Sequence, residues 1–210
     1  MRGTEINSKK QLEIFLEKVK NHPNPKYQLE QYITPSDLAS TILWTAYLRK
    51  DIQGKLVIDL GCGTGKFCLG VTVLRGNCVC IELDREAIME AKSLLREFDN
   101  PEFIEADVES LEISKKVDTV IQNPPFGVVK QGMDMVFLRK ALSISTTVYS
   151  IHKSNPKTQQ LIERISKEYG FQYEMLTSRY RMKPYYPWHT KNFHEFQVDV
   201  YLFYKNNFSF

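Results

Sequence analysis

The sequence predicts an α/β fold: a mostly parallel seven-stranded sheet with helices on both faces and an antiparallel pair of strands at its C-terminal edge. Three observations carry this. From Lys55 onward, five short apolar runs are interspersed with four helical patterns, and strands joined by helical crossovers lie parallel. The chain then closes on two long aromatic-rich runs, "FQYEMLTSRYRM" and "FHEFQVDVYLFY", with no helical pattern between them, so these two pair antiparallel. Its 210 residues, 42% hydrophobic and 25% charged, suit one domain, 1–210, with a substantial core.

Residues 1–50 form an N-terminal helical segment and 51–205 the α/β core. Ser8 and Gln11 stand at capping-box spacing before Leu12, Phe15, Leu16 and Val19, which recur at helical period. The prolines of "NHPNPK" stop that helix. Thr34 is the expected N-cap of a second helix, with Pro35 at its first position and Leu38, Ile42 and Ala46 facing inward. The parallel strands follow as "KLVIDL", "CVCIEL", "EFIEAD", "VDTVIQ" and "STTVYSIH". Between and after them lie helices over Thr64 to Leu74, Asp84 to about Phe98, "MDMVFLRKAL" and "PKTQQLIERISKEYG", the last closed by Gly170.

A net charge of +3 permits an anionic partner without demanding one. The N-terminus has no apolar signal core, and no apolar stretch reaches the roughly 18 residues of a membrane span, so a soluble, cytoplasmic protein is expected. Cys62, Cys68, Cys78 and Cys80 are the cysteines; with no His or second Cys pair at zinc-like spacing, a buried, reduced, structural role is expected and no metal.

The tips of the strands carry the chemistry. "VIDLGCGTGKF" sets Asp59 ahead of Gly61, Gly63 and Gly65, directly after the first strand, where a ligand approaches the backbone most closely. The dinucleotide fingerprint wants its third glycine where Lys66 stands, so pyrophosphate is disfavoured and a cofactor with a cationic, amino-acid-like tail fits better. Glu82 ends the second strand, where an acid takes ribose hydroxyls, and Asp107 ends the third, where it can accept from an adenine amino group. "NPPF", Asn123 to Phe126, ends the fourth.

Together "DLGCGTG", "IELD", "EAD" and "NPPF" resemble the Rossmann-like S-adenosylmethionine-dependent methyltransferases that act on planar nitrogens. The resemblance implies that Asp59, Gly61, Gly63 and Gly65 line the methionine end of the cofactor. Glu82 would hold the ribose and Asp107 the adenine, and Leu83, Val108 and Asn123 are further expected cofactor contacts. An exocyclic amine is a poor nucleophile because its lone pair is delocalised into the ring. An acceptor on each N–H, the side-chain oxygen of Asn123 and the carbonyl of Pro124, localises that pair. Pro124 and Pro125 restrict the backbone, so the acceptors are aimed before substrate arrives. Phe126 can stack on an extruded base, worth roughly 1–3 kcal/mol.

Adding "LEQYITP", "FGVVKQGMDMVFL" and "VYSIHKS", the chain is similar to the methyltransferase-like protein five family and its archaeal relatives, adenine-N6 methyltransferases of small-subunit ribosomal RNA. In that family the segment matching "EQYIT" covers the cofactor, which makes Gln31, Tyr32 and Thr34 cofactor contacts. The resemblance also implies a small zinc-binding activator protein adding a strand beside the third strand, at Phe103, Ile104 and Glu105. The RNA contacts expected are Lys130, His152, Lys153, Arg179, Arg181, Lys183, Trp188 and Lys191, which interleave charge with aromatic rings. Glutamine-N5 methylation of a protein, guanine-N2 methylation, and a non-catalytic RNA-binding factor with a relic site stay open as alternatives.

Overall fold

The computed structural model describes residues 5–182 and 194–205. Helix α1 (Lys9–Leu16) is capped as the capping box predicts, the Ser8 side chain accepting from Gln11 N, and it buries Leu12, Phe15 and Leu16. A single 3₁₀ turn at Tyr27–Leu29, not foreseen, ends in Glu30 with a left-handed backbone. Helix α2 runs Ser36–Leu48. Its cap position is Pro35 rather than the expected Thr34, whose hydroxyl accepts from Asn123 instead.

Strands β1 (Leu56–Leu60), β2 (Asn77–Glu82), β3 (Glu102–Glu105), β4 (Val117–Gln122), β5 (Ser145–Lys153), β6 (Gln172–Met182) and β7 (His194–Tyr204) form one sheet in the order β3-β2-β1-β4-β5-β7-β6. The first five are parallel; β7 pairs antiparallel with both β5 and β6. Helices α3 (Lys66–Val73), α4 (Arg85–Leu95), α5 (Met133–Ile144) and α6 (Pro156–Glu168) make the crossovers. The sheet is therefore the one expected, including the closing antiparallel pair.

Its two faces are covered by separate apolar clusters. One joins α1, α2 and α3 to the sheet through residues such as Leu16, Leu43 and Leu69; the other joins α5 and α6 through Leu138, Leu142 and Ile162. Gly70 lets α2 and α3 close up: a Cβ there would stand 2.2 Å from Leu43 Cδ1. All four cysteines are free and buried where β1, β2 and α3 meet. The Sγ atoms of Cys68, Cys78 and Cys80 lie within 4.8 Å of one another. Burial pushes the Cys78 thiol well up, and a bond to Cys80 together with burial does the same for Cys62.

The expectation of His152 on an RNA-binding surface is corrected by the sheet order. β5 is an inner strand, covered on both faces, and His152 is fully buried, with Nε2 2.7 Å from Ser150 Oγ and its ring edge-on to Tyr201. The two outer strands are β3, four residues long with Ile104 exposed, and β6. No described helix is long and apolar enough to cross a membrane.

Candidate active site

Because β1 to β4 are parallel, their C-terminal tips share one end of the sheet, and the residues singled out at those tips converge there. A cavity of about 210 Å³ opens at that end. Gly61, Gly63, Glu82, Leu83, Asp107, Val108, Asn123 and Pro125 line it from the sheet, and Gln31, Tyr32 and Thr34 from the N-terminal segment.

The turn after β1 is held to β2 by Gly61 N and Cys62 N, which both donate to Ile81 O at 2.8 and 3.0 Å. Gly61 has φ 75°, and a Cβ there would meet the Phe137 ring at 2.9 Å, so both backbone and space require glycine. Glu82 fastens the same turn from the other side. Its Oε2 accepts from Gly63 N at 2.9 Å, and its Oε1 from Leu83 N and Asp84 N at 2.9 and 3.0 Å. Burial raises its pKa, with those three N–H groups opposing. The carboxylate still faces the cavity, where Oε2, with one bond accepted, keeps lone-pair capacity for a ligand hydroxyl.

Two residues expected at the methionine end stand behind the wall instead. Asp59 is 1% exposed, and its Oδ2 accepts from Cys68 N at 3.0 Å beneath the turn; burial pushes its carboxyl up to about 8. Gly65 is the N-cap of α3 and packs towards Ala91. Neither lines the cavity. Lys66, which follows, does: its buried Nζ lies 2.9 Å from Ser36 Oγ.

Asn123 is clamped. Its Nδ2 donates to Thr34 Oγ1 and to Tyr180 OH, both at 3.0 Å, and Tyr180 OH in turn donates to Ile33 O at 3.4 Å. The amide oxygen Oδ1 is buried without a partner among the described residues. Thr34, expected as a cofactor contact and helix cap, lines the cavity and orients the Asn123 amide instead of capping α2. Tyr180 was not anticipated. Phe126 is half-buried beside the cavity rather than in its wall, edge-on to Tyr180 and Phe196 at 5.6 and 5.4 Å. Pro124 is buried.

The covering segment is latched by Asp84, another residue the sequence did not single out. This carboxylate caps α4 through Glu86 N and also accepts from Lys26 Nζ and Gln31 Nε2, both at 2.7 Å; His22 Nε2 stands 3.1 Å away. Burial alone would raise its pKa, but Lys26, Gln31 and Glu86 N outweigh it and hold Asp84 below its usual value. Gln31 therefore spends both ends of its amide on protein, its Oε1 accepting from Lys26 N at 2.7 Å.

Of the expected RNA contacts, Lys130 is exposed and paired with Glu109, and Lys153 is exposed. Arg179 and Arg181 are exposed on β6 and both face Glu195 of β7, at 3.7 and 3.1 Å. Lys183, Trp188 and Lys191 lie outside the described residues.

Fold and site define a methyltransferase, and a family model described as a methyltransferase domain matches residues 52–193. Within that class the chain belongs to the family of the rRNA N(6)-adenosine-methyltransferases. It is 39% identical to the Danio rerio enzyme of that name, METTL5, over 92% of this chain and 97% of the relative. It is 35% identical to the Drosophila melanogaster enzyme Mettl5, over 92% and 95%. Among solved structures, a putative RNA methyltransferase from Pyrococcus horikoshii, PH1948, is 40% identical and superposes with a TM-score of 0.88, covering 95% of this chain and 98% of that one.

Proposed function

We propose that the chain methylates the N6 amino group of an adenine in RNA, small-subunit ribosomal RNA in particular, with S-adenosylmethionine as donor. The observation that carries this reading is the Asn123 amide. Its donor end is fixed by two oxygens and its acceptor end is buried and unpartnered, at the wall of a cavity lined by Glu82 and Asp107. An acceptor held this way takes an N–H of an aromatic amine and cannot relax to satisfy itself within the protein. With the Pro124 carbonyl on the second N–H, the amine nitrogen is drawn towards tetrahedral geometry and its lone pair becomes available. S-adenosylmethionine supplies an electrophilic methyl group on a sulfonium. Glu82 suits ribose hydroxyls and Asp107 the adenine amino group of that donor. No strong general base is required, since the proton can leave after transfer.

Incubation with labelled S-adenosylmethionine and cell RNA or protein fractions, followed by nucleoside analysis, tests the reading. Label in N6-methyladenosine of small-subunit rRNA is expected. Label in methylguanosine or in a protein fraction would replace adenine by one of the alternatives. For the turn, Asn123→Ala is expected to abolish transfer while cofactor binding largely survives.

A small zinc-binding activator pairing with β3 belongs to the same proposal. It is supported by the shortness of β3, by exposed Ile104 and Glu105, and by an outer edge with no strand beside it among the described residues. Co-expression should yield a complex that proline at Ile104 disrupts; a complex indifferent to that change would move the partner elsewhere.

A further inference from the structure

Glu30 combines three unusual features. It is 6% exposed, it has a left-handed backbone with φ 48°, and it lines the cavity. Its Oε1 accepts from Val129 N at 2.8 Å, bridging the covering segment to the loop after the catalytic turn. Its Oε2 is buried with no hydrogen-bond partner among the described residues. A left-handed glutamate and a bare buried carboxylate oxygen each cost free energy, and both persist where function requires them.

The other acids of the wall are already engaged. Glu82 holds three backbone N–H groups, Asp107 accepts from Glu109 N at 2.9 Å, and Glu109 pairs with Lys130. Asp59, the acid expected at the amino-acid end of the cofactor, is turned away beneath the Gly-rich turn. Glu30 lies four residues before Thr34, whose hydroxyl holds Asn123 where transfer takes place. Lys66 brings a buried cation to the same cavity, tied to the covering segment's side through Ser36.

We propose that Glu30 is a further cofactor-binding residue whose free carboxylate oxygen accepts a hydrogen bond from the α-ammonium group of the donor's amino-acid end. This rests on the cavity taking S-adenosylmethionine. A second consequence is structural. Since the same carboxylate holds Val129, the amino-acid end and the loop beside the target base are ordered through one side chain.

The test is calorimetric titration of wild type and Glu30→Gln with three ligands: S-adenosylhomocysteine, its 2-oxo analogue without the α-ammonium, and 5′-methylthioadenosine, which lacks the whole amino-acid end. Glu30→Gln should weaken S-adenosylhomocysteine binding on the order of tenfold or more, the size of a charge-assisted hydrogen bond. It should leave 5′-methylthioadenosine within about twofold, inside the context scatter of one contact. Wild type should bind the 2-oxo analogue correspondingly more weakly, a comparison that needs no variant to fold. Equal loss for all three ligands, or no loss for S-adenosylhomocysteine, overturns the assignment while leaving the cofactor reading intact. Failure of wild type to bind any of them overturns both.

Discussion

Replacing Tyr180 by Phe removes a single oxygen, and the geometry says what that oxygen does. Tyr180 OH gives its proton to Ile33 O, so towards Asn123 it can only accept. That is what sets the sense of the amide, because the Thr34 hydroxyl on the other side can donate or accept. In Tyr180→Phe one N–H of the buried amide loses its partner at a cost of about 1–3 kcal/mol. Rotating the amide by half a turn avoids the cost by pointing NH2 at the cavity, where it repels the substrate amine instead of accepting from it. The competent orientation then carries the penalty, which corresponds to a loss of roughly 5- to 150-fold in kcat. The ring packing against Phe126 and Phe196 is retained, so cofactor affinity should fall much less than kcat. Single-turnover transfer at saturating cofactor and RNA, alongside titration of the cofactor, separates the two effects. A folded Tyr180→Phe protein with wild-type turnover would refute the orientation argument.

Three further outcomes follow from particular residues. Asp59 has a carboxyl pushed up to about 8 by burial, so between about pH 4 and pH 8 it is protonated when folded and ionised when unfolded. Its contribution to stability is complete below the unfolded value near 4 and is lost as pH rises to about 8, at roughly 1.4 kcal/mol per pH unit. Urea denaturation at pH 5 and pH 8 should show this loss in wild type relative to Asp59→Asn; parallel curves would mean an ionised Asp59. The four cysteines, buried and with thiols such as Cys62 and Cys78 pushed up, should resist a thiol reagent until denaturant is added, and rapid labelling of the native protein would contradict their burial. Gly61→Ala should destabilise the fold by about 1–3 kcal/mol through its positive φ and the Phe137 contact, read as a lower denaturation midpoint.

The sheet and the strand tips were legible because they are local. Apolar runs, turn glycines and acids at strand ends lie close together in sequence, and a parallel sheet brings such tips to one end without further information. The residues that refine the site come from pairings far apart in the chain. Tyr180 reaches Asn123 only through the β6–β7 register and the sheet order, and nothing in "SRYRM" marks it among several tyrosines. His152 reads as a basic tip until β7 is placed beside β5. Glu30 follows from a left-handed residue after a 3₁₀ turn, for which glutamate gives no signal. Asp84 was visible only as a helix start, although "IELD" contains it. Asp59 shows the converse: its position at the motif head was clear, but not that its carboxyl turns inward to Cys68 N.

Asp84 is at once the cap of α4 and the latch of the covering segment, through Lys26 and Gln31. Loosening one loosens the other. Fraying of the first turn of α4 and lifting of the cover then share one carboxylate, so opening of the cavity should track the opening of a helix terminus. The Glu86 amide, which donates to the same carboxylate, becomes a clock for that opening, and its hydrogen exchange should slow when the cavity is filled.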